Sequence, residues 1–154
     1  MRALFNVHAG EFLVGEHIQR NYKNVKVWLP AKDTGTDLLI ASSNSKRSVS
    51  LQVKHSRDCL FSHVIGKRAD FRNLRACGWW TLSRSKIAKS KADYWVLVLR
   101  GYSTEVTDFV MIRPEELLRR FDKMGKKGEK LQCYLWVTRA CFINRFGLKS
   151  VTYV

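Results

Sequence analysis

The sequence predicts an α/β domain in which a central mixed sheet of about four or five strands is flanked by helices. Three observations predict it. Residues 37–54, DLLIASSNSKRSVSLQVK, read as two short strands about a polar loop. Before them, Val7, Glu11, Val14 and Ile18 recur at spacings of four, three and four, which puts them on one helical face. After them, YWVLVLR, DFVMI and PEELL read as strand, strand and helix opening. The 154 residues suffice for one domain with one real core, and no linker or repeat divides them.

In chain order, Asn6 is placed to cap a helix over residues 7–22. Residues 25–29, VKVWL, alternate as a strand that Pro30 ends. Residues 31–36 form a loop, and Gly35 permits a tight turn before Asp37. The next two strands cover residues 37–41 and 49–54. Pairing them with Asp37 opposite Lys54 sets Leu38 against Val53 and Ile40 against Leu51. That gives one apolar face, and gathers Asp37, Leu39, Gln52 and Lys54 on the other. Residues 55–93 have poor periodicity. Residues 94–100 read as a strand buried on both faces, 108–112 as a further strand and 114–124 as a helix. That helix has acids in its first turn, arginines and lysine later, and Leu117, Leu118 and Phe121 for the core. Residues 125–130, GKKGEK, read as a basic mobile loop, and 131–138 as an edge strand.

The formal charge is +15, from 28 Lys and Arg against 13 Asp and Glu. Such an excess points to a polyanionic partner, above all nucleic acid, by phosphate contact and counterion release. No apolar run is long enough to span a bilayer. The first residues carry no signal-peptide pattern, so the expectation is a cytoplasmic protein without membrane partners. Cys59, Cys77, Cys133 and Cys141 are scattered with no close pair, which suits packed thiols better than zinc.

An acid, an amide and an amine on one patch suit a hard cation. Asp37 and the Gln52 side-chain oxygen are hard ligands of the kind Mg²⁺ takes. Lys54 can hold a phosphate or help a water lose its proton. The alternative is a surface hairpin with a cross-strand ion pair, worth roughly 0.2–1 kcal/mol.

Asp37, a strand, a turn and Gln52-Val53-Lys54 resemble the PD-(D/E)XK nuclease core in its variant with Gln for the second acid. That superfamily includes restriction endonucleases, archaeal Holliday-junction resolvases and transposon-end nucleases. Residues 10–54 also resemble small bacterial nuclease-like domains, whose pattern runs G-E-x-L-V, helix, strand, G-x-D-L-L, strand, Q-V-K. The strand, turn, strand and P-E-E-L-L helix extend the resemblance loosely over most of the chain. It implies a restriction endonuclease-like fold and a DNA endonuclease using Mg²⁺ or Mn²⁺. It assigns catalysis to Glu11, Asp37, Gln52 and Lys54. The metal ligands would be Glu11, Asp37, Gln52 and the Val53 carbonyl. Glu16 is a rival for Glu11, and Asp33 for Asp37, although Asp33 suits a turn former better. Relatives commonly act as homodimers.

In residues 55–93, cations interleave with Phe71, Trp79 and Trp80. Arg57, Lys67, Arg68, Arg72, Arg75, Arg84 and Lys86 are the candidate phosphate contacts. The tryptophans are better read as core anchors. His55 and Ser56 follow the motif and stand next to the expected site. Two other functions fit the same features. One is a binding module that keeps the fold without cleavage. The other is a partner subunit in a mobile-element or phage-defence system.

Overall fold

The computed structural model describes residues 9–31, 35–56, 74–100 and 107–138. The chain runs α1 (Ala9–Asn21), β1 (Val25–Trp28), β2 (Leu38–Ser42), β3 (Ser48–His55), β4 (Leu74–Ser83), α2 (Arg84–Ala88), β5 (Tyr94–Arg100), β6 (Thr107–Ile112), α3 (Pro114–Lys123) and β7 (Lys130–Thr138). It is an α/β fold with a mixed sheet flanked by helices.

Five strands form the centre, side by side as β1, β2, β3, β5 and β6. All neighbours are antiparallel except β3 and β5, which run parallel. Parallel neighbours need a long crossover, and β4 and α2 lie within it. β4 pairs with β7 as a long antiparallel ribbon, and the ribbon joins the centre where Cys77 meets Arg100. The strand β4 and the helix α2 are additions to the elements the sequence pattern shows.

Alternation along the strands divides the sheet into two faces. On one face, Leu38, Leu51, Val53, Val96 and Val98 pack against Val14 and Ile18 of α1. Gly10 lets α1 approach closely, since a Cβ there would run into His55. On the other face, Trp95, Leu97 and Leu99 pack under Leu117 and Phe121 of α3, Ile87 of α2 and Trp80, Leu82, Leu131 and Leu135 of the ribbon. Cys133 lies in this core, where burial pushes its thiol up to about 12.

α3 behaves as its sequence predicts. Pro114 occupies its first turn, and Glu116 pairs with both Arg119 and Arg120. Those hydrogen bonds, the one from Arg119 first, hold the Glu116 carboxyl below the usual carboxylate range. Gly125 ends the helix with positive φ. Its N–H donates to the Asp122 carbonyl, and the Lys126 N–H donates to that of Phe121. This is the Schellman arrangement, in which glycine avoids the Cβ clash of left-handed backbone. The loop expected to be mobile is thereby anchored, and Lys126 Nζ also donates to the Gln132 carbonyl.

The β2–β3 hairpin corrects one expectation. Its register is Leu38 opposite Leu51 and Ile40 opposite Val49. It is shifted by two residues from the pairing that sets Asp37 against Lys54. Continued by one residue, it places Asp37 opposite Gln52. The cause is a shorter loop: the strands run on to Ser42 and back from Ser48, and the Ser42 N–H donates to the Arg47 carbonyl. Ser45 takes positive φ within this turn, and Asn44 Oδ1 accepts from Ser42 Oγ and the Lys46 N–H. A shift of two leaves every side chain on its expected face, whereas a shift of one would invert them.

Candidate active site and nucleic-acid interface

Asp37 stands at the mouth of β2, just after the positive-φ turn at Gly35. Its N–H donates to the Leu51 carbonyl at 2.8 Å, which extends the ladder by one step. Its Oδ2 accepts a hydrogen bond from Gln52 Nε2 and one of 2.6 Å from the Val53 N–H. A carboxylate only accepts, so the Gln52 amide must turn its nitrogen to Asp37 and its oxygen elsewhere. Among the described residues no hydrogen bond reaches Asp37 Oδ1. The hairpin therefore fixes one carboxylate oxygen and leaves a second, with an amide oxygen, for other work.

Lys54 lies two residues beyond Gln52 on the same face. Its Nζ sits 5.6 Å from the centroid of the Trp95 ring, within range of a cation–π attraction. Trp80 Nε1 donates to the Lys54 carbonyl at 3.1 Å. One buried tryptophan thus holds the backbone of Lys54, and another steadies its ammonium.

Gln52, Lys54 and Trp95 line a cleft of about 430 Å³. Gly35 forms part of its rim, and Ser85, Lys86, Lys89, Ser90 and Lys91 form the opposite wall. Among the described residues, four lysines and no Asp or Glu line this space. That composition suits a phosphate-bearing ligand.

The lysine wall is built with care. Ser83 caps α2, accepting from the Lys86 N–H at 3.2 Å. Glu129 accepts from the hydroxyls of Ser83 and Ser85 at 2.6 Å each. Those hydroxyls hold its carboxyl below the usual range. Ile87 is fully buried and pins the helix to the core. Ser90 Oγ accepts from Trp95 Nε1 at 2.9 Å, tying the loop between Lys89 and Lys91 to the floor of the cleft.

Asp93 serves β3 from the same side. Its Oδ2 accepts from the Ser50 N–H and Oγ at 2.7 Å each. These bonds, the backbone one first, hold its carboxyl below its ordinary value of 3.8. A lowered folded-state value means that the charged form is the bound form. Its stabilisation is complete above the unfolded value and is lost as pH falls through the folded one. The group is largely exposed, so the effect stays below about 1 kcal/mol. Asp93→Asn should lower stability at pH 7 by that order, and the gap from wild type should close below about pH 4 in urea melts.

The expected site residues divide into three groups. Asp37, Gln52 and the Val53 backbone come together directly, and Lys54 and Lys86 share the adjoining cleft. Glu11 is buried on α1, which packs over the Leu51 and Val53 face, away from the side that Gln52 and Lys54 present. Arg84 is committed within the protein: its guanidinium pairs with Asp122 at 2.8 Å and donates to the Lys126 carbonyl. Arg57, Lys67, Arg68 and Arg72 lie outside the described residues, as do Asn6, Asp33, Phe71, Cys59, Cys141 and the Arg75 side chain. Ser56 is structural, since its Oγ accepts from the Trp79 N–H and donates back to the Trp79 carbonyl. His55 turns towards Gly10 of α1. Trp80 is a core residue and Trp79 is partly exposed on the ribbon, 6.2 Å from Tyr134.

Lys89, Lys91, Ser85 and Ser90 were not among the expected site residues. Their signal was the run SRSKIAKSK, in which Ser83 heads a short helix and three lysines follow.

Comparison with family models, with curated proteins and with solved structures gives no match. Among the described residues no three His, Cys, Asp or Glu side chains cluster as a metal cage, and no helix is long and apolar enough to cross a membrane.

Proposed function

We propose that this protein hydrolyses phosphodiester bonds of nucleic acid, DNA being the first substrate to try, with a divalent cation. One observation carries the reading: Asp37 is paired with Gln52, which lines, together with Lys54, a cleft that holds four lysines. Phosphodiester hydrolysis needs a phosphate held in place, a nucleophilic water and compensation of the charge that builds on the phosphoryl oxygens.

The donor set fits Mg²⁺ or Mn²⁺. Magnesium is commonly held by one or two carboxylates, with substrate phosphate and waters completing its shell. Asp37 Oδ1 and the Gln52 amide oxygen are the protein ligands in this reading. When bound, the ion supplies polarisation of the phosphoryl oxygen and a hydroxide near neutral pH. The expected further carboxylate, Glu11, is buried on α1, which packs on the other face of the sheet, so the proposal rests on Asp37, Gln52 and Lys54. The Val53 backbone contributes its N–H, which fixes Asp37.

The chain's own residues do the remaining work. Lys86, Lys89 and Lys91 grip phosphates and set the strand in the cleft. Lys54, steadied over Trp95, neutralises charge developing on the attacked phosphate. Trp80 keeps the β3 backbone in register with that task.

A second reading is binding without cleavage. The lack of any acid among the described lining residues favours it, because lysines alone suffice to hold a polyanion. The test is nicking of supercoiled plasmid and of branched DNA with Mg²⁺, Mn²⁺ or chelator. Cleavage with either metal and none in chelator supports hydrolysis. Retained binding with no cleavage under any condition supports the binding module.

A further inference from the structure

Beyond the cleft, one part of the sheet carries no covering element among the described residues. α3 and the β4–β7 ribbon cover β5 and β6, and no residue of β1, β2 or β3 belongs to that core. α1 covers β1 and β2 from the other side, through Val25, Val27 and Ile40. By alternation, Lys26 and Trp28 point away from α1, to the face that carries Gln52 and Lys54. Trp28 is 56% exposed there.

The register places this indole next to the candidate site. Trp28 pairs with Leu39, and Leu39 pairs with Ser50, so the three form a row across the sheet. The next row, two residues along, holds Asp37, Gln52 and Trp95. Neighbouring strands lie about 4.8 Å apart, and successive same-face residues about 6.8 Å apart. The Trp28 backbone is therefore roughly 10 Å from that of the Asp37–Gln52 pair. A chain of phosphates held by the four lysines would carry its bases past it.

We propose that the open face of Trp28, Leu39 and Lys26 is a base-stacking platform, and that the ligand of the site is an unpaired nucleic-acid strand. The inference rests on nucleic acid being the ligand of the lysine-lined cleft. An indole lying on a sheet face offers a π-surface that any base can cover, and the lysines supply the opposite charge for the backbone. A duplex stacks its bases on one another and presents only phosphates and groove edges to a flat surface. It gains nothing from Trp28. The platform therefore selects single strands, flaps or frayed ends.

The test is fluorescence anisotropy in chelator, so that no cleavage is needed. The ligands are labelled oligothymidine and a duplex of equal length, at fixed salt. The proteins are wild type, Trp28→Ala, Trp28→Phe and Lys86→Ala/Lys89→Ala, each checked for unchanged melting. Base stacking predicts that Trp28→Ala weakens oligothymidine binding about tenfold. Trp28→Phe should recover most of the loss, and duplex binding should change less than about twofold. The lysine pair should weaken both ligands and flatten the salt dependence. Equal oligothymidine binding by wild type and Trp28→Ala would overturn the platform, as would equal losses on both ligands. A wild-type dimer that Trp28→Ala turns into a monomer would also overturn it, and would assign the face to a second copy of the chain. Failure of cleavage with metal, with the binding differences intact, would remove the hydrolytic reading alone.

Discussion

Lys54→Met is expected to lower the rate of cleavage by about 10²–10³, the loss typical of removing one charge-stabilising donor from a reacting centre. The methionine keeps the bulk of the stem against Trp95 and removes only the ammonium. Binding should fall by less than about tenfold, because Lys86, Lys89 and Lys91 still line the cleft. Single-turnover cleavage at saturating protein separates the two effects. A variant that binds poorly and, once bound, cleaves at the wild-type rate would make Lys54 a phosphate clamp with no part in the chemistry. Lys54→Arg is the useful companion. It keeps the charge but is planar and weakly hydrated, so it should recover only part of the rate.

The second large effect is on stability. Ile87→Ala should destabilise the fold by about 2–5 kcal/mol, through lost burial and the cavity that remains. Ile87 is fully buried among Trp80, Leu117 and Phe121, and it is the one buried residue of α2. For a chain of this length each kcal/mol lowers the melting temperature by about 2–4 °C, so the shift is easily read. The same helix carries Lys86 into the cleft. At a temperature where the variant is still folded, binding should therefore weaken as well, although Ile87 touches no ligand. Lys86→Ala should show the opposite pattern, with weaker binding and unchanged melting. Equal melting of Ile87→Ala and wild type would mean that α2 is not held as described.

The hairpin was legible because its chemistry is local. Leu38, Ile40, Leu51 and Val53 alternate with polar neighbours, and an even register shift cannot disturb which side they face. The loop was harder to read. Ser42 and Ser48 look like loop residues by type, yet each sits in a strand, and the hydrogen bond from Ser42 to Arg47 sets the true pairing. That is why Asp37 meets Gln52 and not Lys54.

β4 was illegible for a different reason. Its inward residues are Ala76, Gly78, Trp80 and Leu82, a row of very unequal sizes. Gly78 reads as a strand breaker, but the Trp80 ring lies over it and fills the place of a side chain. Glycine permits that close approach, and any Cβ would collide with the ring. The adjacent Trp79 faces the other way, so the pair shows no period in sequence.

The lysine wall depends on the longest-range contacts. Lys86, Lys89 and Lys91 reach Gln52 and Lys54 only because β5 crosses over to pair parallel with β3. Charge counting could not separate these from Arg84, whose carboxylate partner, Asp122, is 38 residues away. Aromatic residues posed the same problem. Trp80 and Trp95 hold the floor of the cleft from within the core, while Trp28 lies open on the sheet. Composition treats all three alike.

In the proposed function, Asp37, Gln52 and Lys54 form one hydrolytic centre. Single-turnover cleavage by wild type and Asp37→Asn, in Mg²⁺ and with binding measured on the same samples, tests it most directly. The asparagine amide oxygen can still accept from the Val53 N–H, so the hairpin should stay paired while the negative charge is lost. Metal-dependent cutting by wild type is expected, with a loss of about 100-fold or more in the variant and binding held within a few-fold. Equal cutting by the two proteins, or none by wild type with any divalent ion, would contradict it.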